Sequence, residues 1–284
     1  FLLLNTLTAS VITLIAAVLL GVGRGFPYET VTNYTATEVP TFVDTIVSLF
    51  PQNLITQWGQ GQVVPIVIFA ILVAVGYNQL AKTQQDVKPF KAFIDAGNRV
   101  LGQVVGWVME FTPYAVLSLI ARAVGKAPVS ELLPLFGVLI LAYVLCAIQL
   151  FGVESLLIRL IGRLNPMRFL KGIAPAAIVA FTSQSSVGTI PVTVRQLTHE
   201  LGVDGDVAGF TAGIGANLGM PGCAGVWPVL LAVFSINVLG LEYSIPQYMF
   251  LIVLALVVSV GTVGVPGTAT IAATALFSAA GLPI

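Results

Sequence analysis

The residues best suited to chemistry lie in two short segments in the C-terminal half of the chain. One is 182–189 (TSQSSVGT) and the other is 259–268 (SVGTVGVPGT). They offer hydroxyls, an amide and the backbone groups that Gly and Pro release from regular helix. Neither segment holds Asp, Glu or His, so neither contains a nucleophile with its base or a set of metal ligands. Groups of this kind bind a solute and leave it chemically unchanged.

Short apolar runs flank both segments. Runs 169–181 and 191–201 flank the first, and runs 248–258 and 269–280 flank the second. Each run is well below the roughly twenty residues that cross about 30 Å of hydrocarbon. Two half-length runs around a polar tip predict a re-entrant helical hairpin, whose tip must be wrapped in protein or line a wet cavity. The sequence therefore predicts two such hairpins.

A third irregular segment lies between the two predicted hairpins. Within 210–240, the thirteen residues 213–225 contain five Gly together with Asn217 and Pro221. This composition predicts a membrane helix that is unwound halfway, with free carbonyls and amides available to ligands. Paired Gly/Pro-broken segments of this kind indicate a transporter binding site near the middle of the bilayer. Helix N-termini there attract anionic groups of a substrate.

Composition indicates which solvent surrounds these elements. The 284 residues are 57% hydrophobic and only 8% charged, whereas globular chains carry about a quarter charged residues. Twelve basic and twelve acidic residues cancel, so the chain has no basic face for nucleic acid. Cys146 and Cys223 give neither a metal-binding spacing nor a disulfide framework. We expect an all-α polytopic membrane protein in contact with lipid, with no cofactor.

Further apolar stretches supply the remaining membrane helices. The candidate spans are 2–22, 63–77, 93–124 and 132–148, with a short interfacial helix at 42–50 and a kink at Pro113. Most Lys and Arg lie in the connectors 82–91 and 159–171. Since Lys/Arg-rich loops stay in the cytoplasm, these two connectors are predicted to face it.

Motifs at the two tips resemble those of the dicarboxylate/amino acid:cation symporter family, the glutamate-transporter homologues. The similarity is carried by 183–193 (SQSSVGTIPVT) and 261–267 (GTVGVPG), and it extends to 61–65 (GQVVP), 93–96 (FIDA) and 112–116 (TPYAV). It covers essentially the whole chain, from what corresponds to the third membrane helix of the family to its second hairpin. The two N-terminal helices and the C-terminal eighth helix are expected to be absent.

The resemblance implies a glutamate-transporter-homologue fold with two re-entrant helical hairpins and an unwound membrane helix. It divides the chain into a transport-domain helix (1–25), scaffold and trimerisation helices with an outside loop (26–127), a second transport-domain helix (128–165), the first hairpin (166–202), the unwound helix (203–241) and the second hairpin, which acts as the gate (242–284).

The resemblance also implies a function. It predicts a homotrimeric secondary symporter in a bacterial plasma (inner) membrane, which takes up an amino acid with Na⁺ or H⁺ by elevator-like movement of a transport domain. The run 222–225 (GCAG), followed by an aromatic residue and Pro228, is most similar to the bacterial L-cystine uptake branch. L-cystine is the first substrate candidate, and an acidic amino acid or a C4-dicarboxylate is the alternative.

Site residues follow from the same resemblance. The implied substrate-binding residues are Gln184, Ser185, Ser186, Gly188, Cys223, Gly264, Val265, Pro266 and Gly267. The implied cation site, built mostly from backbone carbonyls, consists of Asn217, Met220, Ser259, Val260 and Thr262. The chain departs from the family at 219–223, where GMPGC replaces the usual NMDGT and removes two side chains that hold sodium and one that meets the substrate. Gln184 replaces an Arg found in some members, and Val187 replaces a third Ser.

Other interpretations stay open for several of these residues. The tip serines can bond back to helix carbonyls, as Ser often does in membranes, and Pro266 can be a plain helix kink. Cys223 is either a buried small hydrophobe or a substrate contact. Thr6, Thr8 and Ser10 suit helix packing better than a cation site.

Two other classes of function remain as rivals. Re-entrant loops with carbonyl-lined tips also form the selectivity filters of channels, although two dissimilar hairpins and an unwound helix favour an occluding carrier site. An intramembrane enzyme is the weakest of the three classes, because the three irregular segments contain no Asp, Glu or His.

Overall fold

The computed structural model of the chain describes residues 1–26, 47, 50–59, 63–84, 86–111, 114, 117–118, 121, 125, 129–260, 262, 264–265 and 267–283. Pro113, Pro266 and most of the predicted interfacial helix at 42–50 lie outside the described residues. The helices are α1 (Leu2–Leu19), α2 (Leu54–Gly59), α3 (Val63–Leu80), α4 (Lys88–Glu110), α5 (Val129–Ala147), α6 (Ser155–Leu160), α7 (Pro166–Ser183), α8 (Ser186–His199), α9 (Gly205–Gly215), α10 (Trp227–Val238), α11 (Ile245–Val260) and α12 (Thr268–Ala280). The π-helical segments Ile148–Glu154 and Pro221–Val226 precede α6 and α10. The described part of the chain is thus helical and contains no strand.

Three helical stretches are long and apolar enough to cross a membrane. Among the described residues these are Leu2–Leu19, Pro134–Leu160 and Pro221–Val238. The second stretch runs on past the apolar span 132–148 to include Arg159, because the π-helical segment joins α5 to α6 without a break. Together they support the prediction of an all-helical membrane protein.

The core lies where α1, α10, α11 and α12 pack together. Its fully buried large side chains include Leu230, Ile236, Leu251, Leu254 and Leu276. Helix α1 approaches the second π-helical segment closely, because the residues at that contact are small. A Cβ on Gly225 would lie 3.0 Å from the Cβ of Ala9. The second predicted hairpin, α11 with α12, therefore belongs to the core.

Large apolar side chains also cover much of the outer surface. On α4, Phe93 is 73% exposed and Trp107 is also exposed. On α5, Phe136 is exposed as well. An apolar outside is stable in lipid, where the solvent is itself hydrocarbon. The exposed face of α4 is thus compatible with lipid or with a neighbouring apolar protein surface.

The first hairpin has a shorter tip than its sequence predicts. Helices α7 and α8 are joined by Gln184 and Ser185 alone, and the polar residues Ser186 to Thr189 are helical. The prediction of non-helical backbone over 183–189 was therefore too long. Ser185 acts as the N-cap of α8, so the residues after it form the first helical turn despite their polar character.

The unwound segment is also narrower than predicted. Gly213 and Gly215 lie within α9, and the non-helical backbone extends only over 216–220 before the π-helical segment begins at Pro221. Gly219 has a φ of +67°, and a Cβ there would lie 2.6 Å from the carbonyl oxygen of Leu2. Only Gly allows this backbone to turn so close to α1.

Candidate functional site

Three breaks in regular helix meet at Gly264. Its carbonyl oxygen accepts hydrogen bonds from the Val187 backbone N–H (2.9 Å) and from the Ser185 hydroxyl (3.1 Å). A Cβ on Gly264 would contact the carbonyl oxygen of Ala216 and lie 2.6 Å from the Cβ of Ser186. The tip of the first hairpin, the tip of the second hairpin and the unwound segment are therefore in direct contact.

The first tip, residues 184–185, is held mainly by its own caps. Gln184 adopts a left-handed conformation (φ 53°) and donates its N–H to the carbonyl oxygen of Ala180 (2.9 Å), which ends α7. The Ser185 hydroxyl accepts from the backbone N–H of Gly188 (3.0 Å) and so begins α8. The N-terminus of α8, with its partial positive charge, is thereby fixed at the junction.

The second tip, residues 261–267, is a longer connection. The Thr268 hydroxyl donates to the Val265 carbonyl oxygen (2.6 Å) and lies 3.3 Å from the Val265 N–H, so it braces the end of the tip next to α12. Gly267 precedes α12 with a φ of +85°, a conformation that favours Gly. Besides the Thr268 hydroxyl, the contact between Gly264 and the first tip restrains the second tip.

The predicted cation-site residues divide into buried and exposed groups. Ser259, Thr262 and Met220 are buried, whereas Asn217 and Val260 are exposed. The Thr262 hydroxyl donates to the Ser259 carbonyl oxygen (3.1 Å) at the end of α11. The Asn217 amide donates to the Gly213 carbonyl oxygen (3.1 Å), so its nitrogen is used by α9. The C-terminal carbonyls of α11 supply the partial negative charge that a cation requires.

A cavity of about 410 Å³ lies between the first hairpin and α9. Its lining is largely apolar, with the hydroxyls of Ser186, Thr189, Thr193 and Thr211 added. Ser186 thus links this cavity to the junction at Gly264. Gln184 and Gly188, also predicted to bind substrate, are exposed on the first tip.

Cys223 comes three residues after the unwound segment 216–220. It is half-buried in the π-helical segment Pro221–Val226. A Cβ on its neighbour Gly222 would lie 3.9 Å from the Cys146 sulfur. The two cysteines therefore occupy the same region between α5 and the second π-helical segment.

A polar cluster on α1 and the first π-helical segment was not predicted. Asn5 donates to the Glu154 carboxylate, and Gln149 donates to the Asn5 side-chain oxygen (2.6 Å). A single acidic residue inside the apolar stretch 134–160 was the signal that could have revealed it, because ionisable residues in membrane spans are expensive. Thr6 and Ser10, which lie one helical turn apart on α1, are fully buried. Their burial is compatible with the packing role favoured for them.

Comparison with known proteins identifies the family. The model of the sodium:dicarboxylate symporter family matches residues 1–284, the whole chain. The chain belongs to this family. The resemblance noted at the two tips is thereby confirmed. Since members of the family are symporters and not enzymes, the prediction that the chain is not an enzyme is confirmed as well.

Several curated relatives carry more specific names. The chain is 33% identical over 256 residues to the L-cystine uptake protein TcyP of Bacillus thuringiensis (strain Al Hakam), covering 88% of the chain and 55% of that protein. It is 30% identical over 252 residues to TcyP of Bacillus licheniformis, covering 87% and 54%. An uncharacterized symporter of Haemophilus influenzae is 30% identical over 244 residues, covering 84% and 55%. The chain spans about half the length of the curated relatives it matches.

Proposed function

We propose that the protein is a secondary active symporter that takes up an amino acid, with L-cystine as the first substrate candidate. The observation that carries this proposal is the junction at Gly264, where two hairpin tips and an unwound segment meet. Membership of a symporter family supports carriage of a solute, and the similarity to TcyP proteins supports cystine.

The junction suggests how a substrate is bound and enclosed. The two hairpins are proposed to be re-entrant, so that their tips meet inside the membrane at the positive end of α8, which suits a substrate carboxylate. Ser185 and Ser186 supply hydroxyls, and Gly264, Val265 and Gly267 supply backbone groups. Opening of the second tip breaks the two hydrogen bonds to the Gly264 carbonyl, which makes residues 261–267, including Pro266, the proposed gate.

A coupling cation is proposed to bind at the end of α11. The backbone carbonyls of Ser259, Val260 and Thr262 lie next to the second tip along the chain, so a cation held there favours the closed gate. Asn217 and Met220, on the unwound segment, are the proposed partners from the other side. Na⁺ and H⁺ are the two candidate coupling ions, and uptake in the absence of each distinguishes them.

The remaining elements fit an elevator arrangement in a bacterial inner membrane. We propose that residues 26–127 form a scaffold that assembles as a homotrimer, and that 1–25 and 128–284 move as the transport domain. The exposed apolar side chains of α4 suit both lipid contact and trimer packing. The packing of α1 against α10, α11 and α12 supports movement of these helices as one unit.

Uptake into proteoliposomes tests the proposal. The purified protein is expected to accumulate radiolabelled L-cystine above its external concentration under an inward Na⁺ or H⁺ gradient, and not without one. Excess unlabelled aspartate and succinate tests the alternative substrates, since strong competition by either moves the assignment away from cystine. Ion current without accumulation of any of these solutes would identify a channel and contradict the proposal.

A further inference from the structure

The polar cluster between α1 and the first π-helical segment has the chemistry of a second cation site. We propose that Glu154, Gln149 and Asn5 bind a monovalent metal cation, with Na⁺ as the probe. None of these residues belongs to the carbonyl-built site at the end of α11. The role of this ion in transport rests on the proposed symport, whereas the binding site itself rests on the geometry of the cluster.

The π-helical segment brings the two side chains of the cluster together. In an α-helix, residues five apart point about 140° away from each other. Gln149 and Glu154 are five apart, but they span the π-helical segment Ile148–Glu154, whose i to i+5 hydrogen bonds place such residues on the same side. Both side chains consequently reach Asn5 on α1. Single π-helical turns of this kind occur frequently at functional sites.

The hydrogen bonds of the cluster leave one buried oxygen without a donor. Asn5 uses its amide nitrogen on the Glu154 carboxylate, so its oxygen faces Gln149 and accepts from the Gln149 nitrogen. Among the described residues the Gln149 oxygen then has no hydrogen-bond partner, although Gln149 is only 5% exposed. Because it shares an amide group with the nitrogen bound to Asn5, this orphan oxygen belongs to the cluster.

Protonation of Glu154 does not remove this defect. A protonated carboxyl can still accept from Asn5 through its carbonyl oxygen, which leaves the Gln149 oxygen unpaired. If it donates to the Asn5 oxygen instead, both amides have to flip so that Asn5 donates to Gln149. That arrangement satisfies the Gln149 oxygen but withdraws its NH₂ group from Asn5, so the unpaired group becomes a donor instead of an acceptor. A cation satisfies the Gln149 oxygen without any flip.

Charge leads to the same conclusion. An ionised carboxylate in a membrane span requires a compensating positive charge, yet the groups that bond Glu154 and its neighbours in this cluster are neutral amides. A hard cation prefers oxygen ligands, and the cluster offers the carboxylate and the amide oxygen of Gln149. Binding of Na⁺ therefore neutralises the carboxylate and gives the orphan oxygen a partner at the same time.

Thermal unfolding of the purified protein in detergent, measured against Na⁺ concentration with choline as the replacement cation, tests this site. A ligand that binds only the folded state raises the Tm as it saturates. In Glu154→Gln we expect the Na⁺ concentration for half of the Tm rise to increase at least about tenfold, or the rise itself to shrink. Glu200→Gln is the matched control, because it removes a carboxylate from an exposed position and should leave the titration unchanged.

A second variant keeps the test decisive if Glu154→Gln does not fold. Gln149→Met preserves volume and apolar packing but removes the orphan oxygen, so it should also shift the Na⁺ titration. If the Tm of both variants depends on Na⁺ concentration as that of the wild type does, the proposal is overturned. A Tm rise that depends on Glu154 but follows acidification in Na⁺-free buffer also overturns it, since that identifies a proton site. Failure of cystine uptake in proteoliposomes would contradict the proposed function and leave this binding titration intact.

Discussion

The tips of the two hairpins differ in what holds their backbone. The first, Gln184–Ser185, is determined by neighbours in sequence, because a left-handed C-cap and a serine N-cap join its helices. The second, 261–267, is held by the Thr268 hydroxyl and by long-range bonds from the first tip to the Gly264 carbonyl. A locally determined tip keeps its shape when contacts are lost, whereas a tip held by distant contacts opens. This difference supports the proposal that the second tip is the moving part.

Burial of the arms adds to this contrast. Helices α11 and α12 of the second hairpin contribute Leu251, Leu254 and Leu276 to the core, whereas Ala176 and Thr189 are the buried residues among the described side chains of α7 and α8. The second hairpin therefore has fixed arms and a dependent tip. Gating by this hairpin is expected to involve the tip and not the whole helix pair.

The largest expected effect comes from adding a methyl group at the junction. Gly264→Ala places a Cβ against the Ala216 carbonyl and the Ser186 side chain, neither of which is a flexible chain end. Overpacking of this kind costs about 1–3 kcal/mol, so we expect cystine uptake to fall about tenfold or more. The measurement is initial uptake into proteoliposomes at matched protein content.

Gly213→Ala is the control for this variant. Its Cβ would meet nothing within 4 Å, and it lies within α9, where Ala is favoured over Gly. Uptake by Gly213→Ala should equal that of the wild type. Equal uptake by Gly264→Ala would show that the tips do not need to close on each other.

Removal of the Ser185 hydroxyl should have the next largest effect. Ser185→Ala loses both the cap of α8 and the bond to the Gly264 carbonyl, which together are worth about 1–3 kcal/mol. We expect a rise of roughly tenfold in the cystine concentration for half-maximal uptake. Ser183→Ala, which removes a longer bond (3.3 Å) to the Ser185 N–H, should change this concentration little. If Ser185→Ala and Ser183→Ala changed this cystine concentration equally, the bond between the two tips would have no role in binding.

A smaller effect is expected at the base of the second tip. Thr268→Val keeps the shape of the side chain but removes the hydroxyl that binds Val265, at a cost of about 1 kcal/mol. Hydrogen exchange of the second-tip amides should accelerate by severalfold. Exchange at Gln184 and Gly188, whose N–H groups bond within the first hairpin, should stay unchanged. Mass spectrometry of peptides from both hairpins measures the two rates in one sample. Equal acceleration in both hairpins would contradict a dependent second tip.

Much of this arrangement could be predicted from the sequence, but the contacts between distant segments could not. Run lengths and the Gly/Pro clusters predicted two helix pairs and an unwound helix, because these features act locally. The bond between Ser185 and Gly264 joins residues 79 positions apart, and no local pattern indicates such a pairing. The helical state of Ser186 to Thr189 was missed because one N-cap decides it.

The Glu154 cluster was missed for a different reason. In an α-helical register Gln149 and Glu154 point in different directions, so their sequence spacing does not predict a shared site. The π-helical segment changes this register, and its formation depends on packing against α1. Sequence periodicity alone therefore could not bring these residues together with Asn5.

The distance between the two tips, measured in proteoliposomes by electron paramagnetic resonance, tests the central claim most directly. Nitroxide labels go on cysteines at Thr182, which is exposed near the end of α7, and at Val265, which is half-buried in the second tip, after Cys146 and Cys223 are replaced by Ala. A second pair, Thr182 with Arg195, reports on the first hairpin alone. We predict that Na⁺ with cystine shortens and narrows the first distance while the second stays constant. A first distance that never changes, or a second distance that changes equally, would contradict a second tip that opens and closes against a fixed first tip.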